Sequence, residues 1–448
     1  MSKVVTKNSC SYCSPLGASL AFKGIENCIT MLHGSQGCAT YMRRFLISHF
    51  REPMDIASSS FTEETAIFGG GENLKRGLDN IVSQYEPGVI GLASTCLSET
   101  IGDDMSFHVR EYYKKRENSS TPVIIEVSTP SYKESHAEGF HGAVRSVVDK
   151  LAAGESADDG PVTIFPGMVS CEDLRYLKDV FNRFSKSFVM VPDYSETLEG
   201  GVWREYQKIP PGGTTVEELK RMGSSAGAIE FSSVITDKQS PAKLLNEKCG
   251  VDFKRIDIPV GLSNSDSFFQ SLCEMTGTPM PDHYKKERGR LIDAMGDSHK
   301  YLFGKRVIIY GDEDFTISLS SFLLEAGLKI VICGSEAKSG KFKTLMTELA
   351  LKHQCTEINI LEGADFGDIE DAAVEAGADL IIGSSKGFKL SKKIDAPLIR
   401  VGFPIHDRVG AQRVLHLGYA GALNLLDLIT NTIIEQRQSK SSIGYTYM

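Results

Sequence analysis

Four cysteines in the first hundred residues sit where thiols can do chemistry. Cys10 and Cys13 form a C-x-x-C pair in Ser9-Cys10-Ser11-Tyr12-Cys13-Ser14-Pro15. Alone, that pair is half a zinc site or a redox couple. No second pair follows at zinc-finger spacing, and no strand precedes it as in a thioredoxin-type site. Cys38 closes His33-Gly34-Ser35-Gln36-Gly37-Cys38. Gly34 and Gly37 let this backbone come close to something bulky, and its amides can donate to an anionic ligand. Cys96 directly follows the apolar run Val89–Ser94, and the carboxyl end of a parallel strand is where such sheets bind ligands. Thiolates converging from several Gly-, Ser- or Pro-rich loops suit an iron–sulfur cluster. Three thiols are one short of the usual four, so the site needs a partner chain or a non-Cys ligand. Cys28, Cys171, Cys249, Cys273, Cys333 and Cys355 lie in apolar or undistinguished contexts and read as small buried hydrophobes.

Other motifs fail. Gly334 to Phe342 resembles a phosphate loop, but five residues separate its glycines and Phe342 stands where Ser or Thr must hold Mg²⁺. Gly69-Gly70-Gly71 reads as a turn or a close approach of two backbones. There is no GxGxxG after a strand and no HExxH.

The elements that must hold these loops follow one rhythm. Arg306–Gly311, Lys329–Gly334, Glu357–Leu361, Asp379–Gly383 and Pro397–Gly402 read as strands, separated by helical segments such as Ser318–Ala326 and Ile369–Ala376. Continuous apolar strands imply burial on both faces, hence a parallel sheet flanked by helices. Val89–Ser94 and Val123–Ser128 belong to an earlier unit; Val162–Pro166, Phe188–Pro192, Ala228–Val234 and Ile256–Val260 suit a second. Acidic Ala152–Gly160 and the stretch Thr276–Arg288, which opens a long connecting helix, look like boundaries. The expected fold is α/β: three doubly wound Rossmann-like domains with parallel sheets. They cover residues 1–155, with the cluster-binding loops, 156–290, and 291–448, with a C-terminal helix. The first 75 residues are rich in Gly, Ser, Cys and His and poor in clean strands, the mark of a functional segment.

The 448 residues carry a net charge of −9 and a composition that is 41% hydrophobic and 24% charged. That argues for a soluble globular protein and against a general binder of nucleic acid or anionic membrane. No signal-length or bilayer-length apolar run is visible, so a cytoplasmic location is expected.

Several words together resemble the nitrogenase component 1 family, in its β-type subunit. They are Cys13-Ser-Pro-Leu-Gly-Ala18, His33-Gly-Ser-Gln-Gly-Cys38, Arg51-Glu-Pro53, Phe61-Thr-Glu-Glu-Thr-Ala-Ile-Phe-Gly-Gly70, Thr95-Cys-Leu-Ser-Glu-Thr-Ile-Gly-Asp-Asp104 and Thr129-Pro-Ser131. The gaps of 25 residues from Cys13 to Cys38 and 58 from Cys38 to Cys96 resemble that family's cluster-ligand spacing. Tyr310-Gly-Asp-Glu-Asp-Phe315 and Arg400-Val-Gly-Phe-Pro404 extend the resemblance to nearly the whole chain. Within the family, Tyr41–Phe50 and the short segment before Cys13 look like the NifN type. That type is the β-like half of the NifEN scaffold on which the nitrogenase iron–molybdenum cofactor is matured.

The resemblance implies an α₂β₂ heterotetramer with a NifE-like α-type partner, which would hold the cofactor precursor. It implies an interfacial [4Fe–4S] cluster to which this chain gives Cys38. It also implies transient contact with the NifH-like Fe protein and with cofactor donor and carrier proteins. No catalytic residue is assigned to this chain. Some NifN chains lack the first and third cysteines; this one keeps Cys13 and Cys96. The resemblance therefore also permits a P-type [8Fe–7S] cluster using Cys13, Cys38 and Cys96, with Ser131 beside it. The chain would then be the β subunit of a nitrogenase-like reductase, such as an alternative nitrogenase or a methylthio-alkane or protochlorophyllide reductase. A metal-free binding protein on this fold is the third possibility. Cys10 has no counterpart and reads as a non-ligand. Ser59–Phe68, Arg43 and Arg44 would form the cluster surround or partner interface, or, for the arginines, a solvated helix face.

Overall fold

The computed structural model describes residues 11–116, 121–202, 204–355 and 357–442. Cys10 lies outside the described residues. Three sheets form. The first takes β1 (Cys28–His33), β2 (Ile56–Ser58), β3 (Val89–Ser94) and β4 (Val123–Val127), in the order β2-β1-β3-β4 with every pair parallel. The second takes β5 (Val162–Phe165), β6 (Phe188–Met190), β7 (Gly227–Phe231) and β8 (Phe253–Ile256), in the order β6-β5-β7-β8. The third takes β9 (Arg306–Tyr310), β10 (Lys329–Ser335), β11 (Asn359–Glu362), β12 (Leu380–Gly383) and β13 (Leu398–Arg400), in the order β11-β10-β9-β12-β13, again parallel. The expected α/β fold with several Rossmann-like parallel sheets is what forms.

Strands β1, β2 and β8 depart from expectation. β1 forms in the stretch that lacked a clean strand pattern, and it is buried throughout. Its central position, paired with β2 and β3, supplies the burial that its Cys, Thr, Met and His content does not advertise. β8 ends where the expected strand 256–260 begins.

By its contacts the chain divides into two compact units. Among the described residues, one contains 12–230 and 235–254; the other contains 11, 231–234 and 255–442. The first unit carries seven helices that matter for the loops above. They are α1 (Ser14–Lys23), α2 (Gln36–Phe50), α3 (Glu63–Phe68), α4 (Gly71–Tyr85), α5 (Cys96–Ile101), α6 (Met105–Lys114) and α7 (His136–Leu151).

Every residue of α1 is buried. It crosses α7 at backbone distance through two glycines. A Cβ on Gly17 would stand 1.7 Å from the His136 carbonyl oxygen, and one on Gly139 would stand 2.0 Å from that of Ser14. On its other side, Phe22 lies over Gly91 of β3, where a Cβ would meet the ring at 2.2 Å. Only glycine permits both approaches, and together they set the height of α1, and of Cys13 at its start, over the sheet.

Candidate metal centre

Each predicted thiol sits where a helix begins. Cys13 is the N-cap residue of α1, Cys96 is the first residue of α5, and Cys38 is the third residue of α2. Amide N–H groups at helix starts stabilise negative charge and favour the thiolate. Cys38 and Cys96 follow β1 and β3, whose last residues His33 and Ser94 are paired in register. Ser131 follows β4, the next strand over. Three neighbouring parallel strands thus deliver Cys38, Cys96 and Ser131 from their carboxyl ends. Cys13 joins them from α1, through a bridge to Ser135.

The electrostatics show that the four groups share one place. Burial holds the Cys13 thiol above the ordinary range. A hydrogen bond with the Ser131 side chain opposes that, and the Cys96 and Cys38 thiols reinforce it. The Ser131 hydroxyl also accepts the Ser14 N–H at 3.1 Å. All three cysteines are partly exposed. Among the described residues no three His, Cys, Asp or Glu lie close enough for a single metal ion. A thiol held above its usual range, as at Cys13, must give up its proton to bind a metal, so binding there would be favoured at higher pH.

The remaining cysteines separate from these. Cys28 and Cys333 are strand residues whose burial pushes each thiol up to about 12. Cys171 and Cys249 are buried, whereas Cys273 and Cys355 are only partly so, short of the full burial expected.

The two glycines of the Cys38 loop do different jobs. Gly34 is buried beneath Thr95, whose Oγ1 would lie 2.2 Å from a Cβ, so the bulky neighbour is this chain's own side chain. At Gly37 a Cβ would meet only Ser35 Oγ, at 3.8 Å, leaving its exposed face open. In the triple glycine, Gly69 takes a φ of 92° to end α3, while Phe61 and His108 side chains crowd Gly70 and Gly71. Arg43 and Arg44 are exposed, and Ser59 is buried.

Around the thiols lies a shell that sequence reasoning left without roles. Tyr12 packs on Phe45 with ring centroids 4.5 Å apart, and Phe45 packs on Tyr41 at 4.6 Å. His136, buried and pushed down to about 4 by that burial, accepts the Tyr12 N–H at 3.2 Å. Glu99 accepts the hydroxyls of Ser94 and Ser128, joining the ends of β3 and β4. Asp103 binds His33 and His108 at 3.1 and 2.7 Å. His33 and Asp103 stood inside the motif words, but 70 residues of separation hid their contact.

Comparison with known proteins gives the family and the fold. The profile of the family described as nitrogenase component 1 type oxidoreductase matches residues 13–434. The nitrogenase molybdenum–iron protein beta chain of Clostridium pasteurianum is 37% identical, covering 97% of this chain and 94% of its own. The Azotobacter vinelandii beta chain is 33% identical over 97% of this chain and 85% of its own. The vanadium–iron protein beta chain of Trichormus variabilis is 32% identical over 96% of this chain and 94% of its own. A solved structure described as nitrogenase Cp1 at pH 6.5 superposes with a TM-score of 0.96 at 35% identity, covering 100% of this chain and 98% of that one.

Proposed function

Because this chain belongs to the nitrogenase component 1 family as a β-type member, we propose that it is the β subunit of a nitrogenase-type reductase. In this proposal Cys13, Cys38 and Cys96 ligate one iron–sulfur cluster shared with an α-type partner in an α₂β₂ assembly. The single observation that carries the proposal is the convergence of all three thiols, with Ser131 against Cys13, at the carboxyl ends of β1, β3 and β4. A chain that used Cys38 alone would leave two partly exposed thiols beside it without a task.

The donor set fits such a cluster: thiols at helix amide ends, an aromatic shell at Tyr12, Tyr41 and Phe45, and an open face at Gly37. When bound, the cluster would supply one-electron transfer. This chain's residues orient the thiols, exclude water and hold Ser131 where its hydroxyl can follow the charge on Cys13. The three sheets are proposed as three domains, at 1–155, 156–290 and 291–448. The low-potential donor is proposed to be an Fe-protein-type ATPase, which suits a chain whose phosphate-loop-like segment fails.

A second reading is the NifN-like scaffold for cofactor maturation, in which Cys38 alone serves a [4Fe–4S] cluster completed by a NifE-like partner. Tyr41–Phe50 favours it. The stretch before Cys13 separates nothing, since the Clostridium pasteurianum beta chain aligns over 94% of its own length.

Iron and sulfide analysis of the anaerobically purified complex with its α-type partner tests the choice. The partner must be free of its own cofactor. About eight irons per αβ pair, falling in Cys13→Ala and Cys96→Ala, support the reductase subunit. About four, unchanged in both variants, support the scaffold.

A further inference from the structure

A hollow opens at the amino ends of β9, β10 and β11 in the third sheet. It measures about 900 Å³, within the range of roughly 300–1,000 Å³ common to small-molecule sites. Three helices end there, Asp282–Leu302, Glu313–Glu325 and Phe342–Lys352, and their turns into the strands line it. Those turns are tied down. The Gly304 N–H donates to the Gly327 carbonyl at 2.8 Å, and the Cys355 thiol donates to the Ile330 carbonyl at 3.7 Å.

Part of the lining is apolar. Leu324, Leu328 and Ile330 are buried, and Phe303 is 68% exposed beside them. The rest carries charge. Arg306 opens β9 and Lys329 opens β10, paired in register on neighbouring parallel strands, so both side chains leave the same face of the sheet. Neither has a carboxylate partner among the described residues. The Arg306 guanidinium donates from Nη2 to the Ala376 carbonyl at 2.9 Å. The nearby Asp379 is taken up by the Arg306 backbone N–H at 2.9 Å and by Lys305 Nζ at 3.5 Å. The Lys329 ammonium has no hydrogen bond or ion pair among the described residues.

Helix carbonyl ends explain why cations are tolerated at this edge. They do not explain His353, which lines the same hollow with its Nε2 buried and unpartnered. Burial first, then Lys352, hold its ring below the usual imidazole range against Glu325, so the ring is neutral. A bare buried nitrogen on a cavity wall calls for a partner inside the cavity. In the Nε2–H tautomer it donates to the same anion that the two cations attract. Glu357, exposed, is the carboxylate on the lining. It offsets one of the two cations, so the hollow suits a single negative group and not a polyphosphate.

We propose that this hollow binds a small organic carboxylate with an apolar body. Arg306 and Lys329 hold the carboxylate, His353 donates to it, and Phe303, Leu324 and Leu328 cover the body. Hydrogen bonds from a guanidinium and an ammonium to one carboxylate are charge-assisted, and burying the body adds the hydrophobic part. None of these residues belongs to the thiol site, so this proposal and the proposed function fail separately.

Isothermal titration calorimetry of the anaerobically purified complex with its α-type partner tests it, with hydrocinnamate as the probe. One saturable site per αβ pair is expected, with a dissociation constant of about 10 µM to 1 mM. Propionate, which lacks the body, and hydrocinnamyl alcohol, which lacks the charge, each bind at least about tenfold more weakly. Lys329→Gln and Arg306→Gln each weaken hydrocinnamate about tenfold, the loss of one charge-assisted hydrogen bond. Lys343→Gln, which removes an exposed cation outside the hollow, leaves binding unchanged. The Lys329 ammonium holds nothing in place, so Lys329→Gln reads binding without a folding penalty, and circular dichroism checks Arg306→Gln. No saturable heat up to about 10 mM hydrocinnamate overturns the proposal. So does an affinity unchanged in both Lys329→Gln and Arg306→Gln, or an alcohol that binds as tightly as the acid.

Discussion

The first and third sheets are built alike, yet their carboxyl ends are finished in opposite ways. Both are parallel and helix-flanked, with a strand order that reverses beside a central strand. At the third sheet the loops satisfy one another. Asp314, after β9, accepts from Ser232 Oγ and from the Ser233 and Val234 amides, in the segment that follows β7 of the second sheet. Arg400 grips Asp407 through Nε and Nη2, and Ser385 adds a hydroxyl to the same carboxylate. The Tyr310 hydroxyl donates to the Ser384 carbonyl and accepts the Gly387 N–H. At the first sheet the loops end in three partly exposed thiols and leave an open face at Gly37. One architecture thus makes a closed end and an end with partly exposed thiols, and the difference lies in the loops.

Cysteines show the contrast best. Cys333, in β10, is fully buried and behaves as a hydrophobe. Cys38→Ala should remove the shared cluster altogether, seen as loss of iron and of the EPR signal. Cys333→Ala should keep the iron and cost about 1 kcal/mol in a denaturant titration. Loss of iron in the second variant would break the comparison.

The next largest effect concerns how the first sheet holds Cys13. Gly17→Ala drives a methyl into the His136 carbonyl, so α1 and α7 must part. A destabilisation of about 3 kcal/mol is expected, with iron lost from any folded fraction. Circular dichroism melts and iron assay read the two effects separately.

The third sheet makes its own prediction. Glu313 is buried beside Glu362 and Asp314. Burial first, then those charges, push its carboxyl up to about 7 against hydrogen bonds from Ser339. A raised carboxyl contributes stability that is complete below its unfolded value, about 4.3, and is lost as pH rises through 7. Glu313→Gln should therefore match the natural chain at pH 4 and exceed it by about 2 kcal/mol at pH 8. Equal melting temperatures at pH 8 would contradict the closed, dry end drawn for this sheet.

The smallest effect is a control. Gly296 lies inside the helix Asp282–Leu302 with open space where a Cβ would go. Gly296→Ala should stabilise by about 0.5–1 kcal/mol, opposite in sign to Gly17→Ala, as thermal melts would show.

The fold was readable wherever burial on both faces writes itself as a β-branched run. Val89–Ser94 and Arg306–Tyr310 are such runs, and both are strands. β1 was not readable, because Cys28-Ile-Thr-Met-Leu-His33 owes its strand to neighbours on either side rather than to its own pattern. β2, with three residues, is too short to show a period. The thiols stood out because each lies in a loop of turn-forming residues. Asp103 with its two imidazoles did not, since a contact between residues 33 and 103 exists only after β1 and β3 have paired.

Anomalous diffraction at the iron edge, from crystals of this chain with its α-type partner, tests the central claim most directly. Iron density bonded to the sulfurs of Cys13, Cys38 and Cys96 together is the predicted result. Iron density bonded to Cys38 alone, with the other two thiols free, would contradict it.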